Sequence, residues 1–233
     1  MFINKEVSIM KKNLTEVVFI LDRSGSMSGL ENDTIGGYNS MLERQRTGEG
    51  EVIISTVLFD DKVEIIHDRK PIGEVKPITR KEYFVRGCTA LLDAIGGSIH
   101  HIGKLHKNMP PEDVPEKTLF IITTDGMENA SQKYTYDKIK KMVEKKKNKK
   151  KWEFIFLGAN IDAVSVANQF GVGKTHAVRY ECDSAGTKLN FDVMTNLISK
   201  ARACKSAAHM TEEFDSGEIL EEVSNDYRKR HKA

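Results

Sequence analysis

Three short stretches of this 233-residue chain carry side chains with chemistry to offer. Asp22, Ser24 and Ser26 alternate where the apolar run Val17-Val18-Phe19-Ile20-Leu21 gives way to a polar loop. Thr89 follows Gly87-Cys88 and opens an amphipathic segment, while Asp125 stands between Thr123-Thr124 and Gly126 after a second apolar run. Open α/β sheets bind their ligands outside the carboxyl ends of their strands. Two carboxylates and three hydroxyls, all hard oxygen donors, therefore converge on one sheet edge. Asp-x-Ser alone is an ordinary turn former; matching groups in three loops are not explained that way.

Hydrolytic chemistry fits these residues poorly. A phosphatase of the haloacid-dehalogenase type needs a second carboxylate two residues after its nucleophilic Asp, and that position is Ser24. Neither Ser24 nor Ser26 lies in a Gly-x-Ser-x-Gly elbow. Gly171-Val172-Gly173-Lys174-Thr175 imitates the end of a phosphate loop, but it follows a helical pattern instead of a strand. Gly171 reads better as a left-handed helix cap.

Four runs, mostly unbroken by polar alternation, read as parallel strands covered on both faces: Val17–Leu21, Val52–Phe59, Leu119–Ile122 and Phe154–Leu157. Lys62–Ile66 follows Phe59 after only Asp60-Asp61, so it must be an antiparallel hairpin partner at the edge. Helical faces lie between them, on Leu30, Thr34, Tyr38, Met41 and Leu42, and on Leu91, Ile95, Ile99 and Ile102. A third starts at Ile139 after a Thr135 cap, Asn160 is expected to cap a fourth, and residues 183–204 form another. Alternating strands and helices predict a doubly wound α/β fold. Its sheet is mostly parallel with one antiparallel edge strand, and helices cover both faces.

At Asp22-Arg23-Ser24-Gly25-Ser26, Thr89 and Asp125-Gly126 the chain resembles the von Willebrand factor type A domains with their metal-ion-dependent adhesion site. The family pattern is Asp-x-Ser-x-Ser after the first strand, a Thr in a later loop, and an Asp before a Gly after the fourth strand. The likeness spans roughly residues 13–180, and Ser24-Gly25-Ser26-Met27 looks most like the microbial, intracellular members. It implies a Rossmann-like fold and a metal held by Asp22, Ser24, Ser26, Thr89 and Asp125. Mg²⁺ suits such a set, with Mn²⁺ as the alternative, because hard cations take oxygen ligands and zinc prefers His and Cys. The implied function is metal-bridged binding of an unidentified protein that offers a carboxylate, with no turnover. Asp93 and Asn129 are candidates for orienting the ligands, and Arg23 for rimming the site and attracting anions.

Composition narrows the setting. Thirty-six basic residues against 34 acidic ones leave +2, which argues against a dedicated nucleic-acid binder. Position matters more than the sum: nine lysines fall between Lys138 and Lys151. Lys145, Lys146, Lys147, Lys149, Lys150 and Lys151 form a candidate patch for an anionic partner, although a solvated helix face is the simpler account. Three scattered cysteines build no disulfide framework, and no apolar run is long enough to span a membrane. The expectation is a cytoplasmic, non-enzymatic adaptor or scaffold. A metal-dependent phosphohydrolase and a basic module using the lysine block on nucleic acid are the alternatives. Residues 1–9 are expected to be a leader, 10–205 the domain, and 206–233 a polar helical or disordered tail.

Overall fold

The computed structural model describes residues 10–231, so the expected leader lies outside the described residues. Strands β1 (Lys11–Asp22), β2 (Glu51–Phe59), β3 (Val63–Pro71), β4 (Pro115–Thr124), β5 (Glu153–Ala159) and β6 (Ala177–Tyr180) form one sheet in the order β3-β2-β1-β4-β5-β6. All pairings are parallel except β2 with β3. The short Asp60-Asp61-Lys62 link leaves no room for a crossover and forces that one antiparallel hairpin.

β1 shows why the central strands are apolar throughout. Val17, Phe19 and Leu21 enter one core, while Val18 and Ile20 enter the other. The first core is closed by α1 (Glu31–Arg46) and α5 (Ser184–Ala203), through Tyr38, Met41, Phe191, Met194 and Leu197. The second is closed by α2 (Leu91–Asn108), α3 (Tyr136–Lys150) and α4 (Ala163–Gln169), through Ile95, Ile99, Val143 and Ala167. A strand covered on both faces has no polar face to alternate.

The chain leaves β1 toward β2 and β3, then returns to the other side of β1 to build β4, β5 and β6. The strand order therefore reverses between β1 and β4, and the crevice for a ligand opens at their carboxyl ends. Register fixes what lines it: Leu21 is opposite Thr123, so Asp22 comes level with Thr124 and next to Asp125.

Two local readings change. The cap of α4 is Asp162, whose side chain accepts from Ser165 N; Asn160 instead takes a left-handed conformation at φ 54°. Four-residue β6 was not expected, since its Ala177-Val178-Arg179-Tyr180 is too short to show a pattern. The expected polar helical or disordered tail is helical as described, in α6 (Ala207–Asp215) and α7 (Glu221–Arg230), and Met210, Phe214, Val223 and Leu220, just before α7, are buried in the first core. Four such side chains are worth about 1.5–3 kcal/mol each on burial, enough to hold two polar helices in place.

Candidate metal centre

The turn after β1 is built around Asp22. Its Oδ1 accepts from Ser24 N at 2.7 Å, which folds the loop back on the strand end. Its Oδ2 accepts from Thr124 Oγ1 at 2.5 Å, and its carbonyl accepts from Tyr83 Oη at 2.6 Å. Arg23 N donates to Phe59 O at 2.8 Å and keeps the loop tied to β2. From this base Ser24 Oγ lies 3.1 Å from Ser26 Oγ, which donates to Asp125 Oδ1 at 2.5 Å.

Thr89 arrives on a separate loop that is stapled to the others. Its N–H donates to Asn129 Oδ1 at 2.8 Å, while Asn129 N donates back to Thr89 O at 3.1 Å. Gly25 N donates to Gly87 O at 3.2 Å, joining the Ser loop to the Thr loop. The hydroxyls then face a common point above Gly126. A Cβ there would lie 3.0 Å from Thr89 Oγ1, 3.2 Å from Ser26 Oγ and 3.8 Å from Ser24 Oγ. Glycine keeps that hollow free of carbon, so the three hydroxyls meet in one place, with Asp125 bonded to Ser26 and Asp22 bonded to the Ser24 amide beside them.

The two candidate orienting residues do different things. Asn129 brackets the Thr89 backbone. Asp93 accepts from the N–H groups of Gln132, Lys133 and Tyr134 at 2.9–3.0 Å, so it anchors the loop after β4 without touching the five. Glu128 joins in by accepting from Leu92 N at 2.8 Å and from Ala130 and Ser131. Thr124 and Glu128 were missed in the sequence. The Thr123-Thr124 pair beside Asp125 was the available signal for the first; nothing distinguished Glu128 from a solvated loop acid.

Arg23 is corrected outright. It is fully buried, with Nε 2.8 Å from Asp60 Oδ2 and Nη2 2.9 Å from Glu64 Oε2, and it attracts no anion at the rim. A guanidinium removed from water must be paired, and β2 and β3 supply its carboxylates. Among the described residues, the partners of the Asp22 and Asp125 carboxylates are hydroxyls, an amide and the Cys182 thiol, with no cation. Burial accordingly pushes the Asp22 carboxyl up to about 6, against hydrogen bonds from Thr124 and Ser24. Burial raises Asp125 as well, and with its charge nearby lifts the Cys182 thiol to about 11.

A divalent cation fits this arrangement. The hollow is ringed by hydroxyl oxygens, and the adjoining carboxylates are desolvated without a counter-charge. Among the described residues no three His, Cys, Asp or Glu side chains gather into a metal-binding group, so a cation here would draw on hydroxyls beside its two carboxylates.

No protein-family model matches the sequence, and no curated protein matches it either. Solved structures do. The vWF domain of the type V pili tip protein Mfa5 from Porphyromonas gingivalis superposes with a TM-score of 0.58 at 12% identity, covering 80% of this chain and 95% of that one. The fold is that of a von Willebrand factor A domain. Proximal thread matrix protein 1 from the mussel byssus, in a structure with a zinc-occupied MIDAS motif, gives a TM-score of 0.54 at 13% identity. That match covers 82% of this chain but 47% of the mussel chain, about half its length. The ArnB paralog VWA2 from Sulfolobus acidocaldarius gives 0.50 at 15% identity, over 81% of this chain and 45% of that one. The zinc in the mussel protein shows that the donor argument against zinc does not hold for every A domain.

Proposed function

We propose that this chain is a divalent-metal-dependent protein-interaction module, an adaptor or scaffold and not an enzyme. The observation that carries the reading is the glycine-floored hollow of three hydroxyls next to two buried carboxylates without a cationic partner. Asp22, Ser24, Ser26, Thr89 and Asp125 would hold the ion, Mg²⁺ first and Mn²⁺ second on donor hardness. A bound ion supplies positive charge that a carboxylate of a partner protein can complete. The chain's own work is to hold five oxygens in place through Thr124, Asn129 and the Ser24 amide, and to keep Arg23 turned away.

The non-enzyme reading is supported by the site's own bonding: among the described residues Ser24 Oγ meets only Ser26, Ser26 donates to Asp125, the carboxylate that the metal would take up, and no histidine is among their partners. Three free cysteines support a reducing, cytoplasmic setting. No described helix is long and apolar enough to cross a membrane.

A pull-down from native lysate tests the reading in three arms: Mg²⁺, chelator, and Mg²⁺ with Thr89→Ala. Proteins retained in the first arm and lost in the other two are expected. Equal retention in all three contradicts metal-bridged binding.

A further inference from the structure

At the amino ends of the strands, opposite the metal centre, a cavity of about 600 Å³ opens between the last turns of α2 and α3 and the start of β4. Lys107, Lys146, Lys149, Lys150 and Lys151 line it, and among the described residues no Asp or Glu does. That is unusual in a chain with 34 carboxylate side chains against 36 cations. The carboxyl end of α3 accounts for part of it, since a helix dipole favours cations in the last turn by about 0.3–1 kcal/mol each. The carboxyl end of α2 does the same for Lys107, but neither dipole accounts for the half-buried position of Lys146.

Lys146 is half-buried, with Nζ 4.0 Å from the centre of the Trp152 ring. Among the described residues it forms no ion pair or hydrogen bond. Glu16, whose charge reaches it, is already held by Arg69 at 2.6 Å and His106 at 2.6 Å. Burial, then Lys150 and Lys145, push its ammonium below the usual lysine range. Elsewhere the fold satisfies a buried lysine: Lys117 Nζ donates to Arg202 O at 2.9 Å and Cys204 O at 2.7 Å. Among the described residues Lys146 has an aromatic face behind it, other lysines beside it, and a Glu16 whose carboxylate is bonded elsewhere.

We propose that this cavity binds a small multivalent phosphate anion, of the inorganic polyphosphate or nucleoside triphosphate class. Lysines act as point charges for phosphate, and the volume falls within the range of small-ligand sites, roughly 300–1,000 Å³. Trp152 is 3% exposed and covered by Lys146, so it offers no stacking surface to a base. Single-stranded nucleic acid relies on such surfaces; here recognition falls on the phosphates alone.

Calorimetry on the full chain tests this, in low salt with chelator present so that the metal centre takes no part. Failure here therefore leaves the metal reading untouched, and the reverse also holds. The probes are tripolyphosphate, ATP, adenosine and a single-stranded oligonucleotide. Tripolyphosphate and ATP are expected to bind alike and adenosine not at all, with affinity falling as salt is raised. Lys146→Met should weaken tripolyphosphate about tenfold or more, as should the exposed pair Lys149→Glu and Lys150→Glu, which leaves the core packing intact. No tripolyphosphate binding at low salt, unchanged affinity in the exposed pair, or oligonucleotide binding without tripolyphosphate binding would each overturn the proposal.

Discussion

Asp22 ends β1 and Asp60 directly follows β2; both are shielded from solvent, at 1% and 0% exposure, yet their carboxyls move in opposite directions. Burial would raise Asp60, but Arg86 at 2.8 Å, the Lys62 amide at 2.7 Å and Arg23 at 2.8 Å hold it below the usual carboxylate range. Asp22 has an amide and hydroxyls only, and rises to about 6. Partner chemistry and depth act together here, since Asp22 is also more deeply enclosed by protein atoms than Asp60. Arg23 directly follows Asp22 in the chain, so a guanidinium was available to neutralise the crevice and is pointed at Asp60 instead. The structure closes one acidic group with its own cations and leaves the other open to a cation from outside.

The largest expected effect comes from opening the closed group. Arg23→Met strands Asp60 as a buried, half-paired charge and should cost about 3–5 kcal/mol. For a domain of this size the melting temperature falls by about ten degrees, with or without metal. A loss of only a degree or two would mean that Arg86 alone suffices and that the contrast is weaker than drawn.

A smaller effect separates the open group by pH. Metal-free, the native Asp22 keeps its proton up to about 6 whereas the unfolded chain loses it near the ordinary 3.8. Raising the pH through that window therefore removes stability. A bound cation favours the ionised carboxylate, so the melting shift caused by Mg²⁺ should grow from about pH 5 to about pH 7. Thermal melts with Mg²⁺ and with chelator measure it; a shift independent of pH would remove Asp22 from the metal's ligands. The smallest effect is steric. Gly126→Ala should weaken metal affinity about tenfold while lowering the chelated melting temperature by only a few degrees.

The Asp22 to Ser26 spacing, Thr89 and Asp125 were legible because strand ends and Gly-punctuated loops mark themselves in a single sequence. The antiparallel edge was legible from the two-residue link after Phe59. Arg23 was not, because its carboxylates lie 37 and 41 residues away and only the sheet brings them near. The packing of the last helices was hidden for a related reason: their polar composition conceals Met210, Phe214, Leu220 and Val223, which become a face only once they dock on the first core. Local pattern shows which residues can do chemistry; long-range pairing decides which are left free to do it.

The central claim is that the open carboxylates and their hydroxyls hold one divalent ion. Titrating Mn²⁺ into the purified chain, with the free ion read by electron paramagnetic resonance, tests it most directly. Asp125→Asn keeps the shape and removes one charge. The account predicts a single bound ion in the wild type, absent from the variant over the same concentrations. A wild type that binds no ion, or a variant that binds it equally well, would contradict the account.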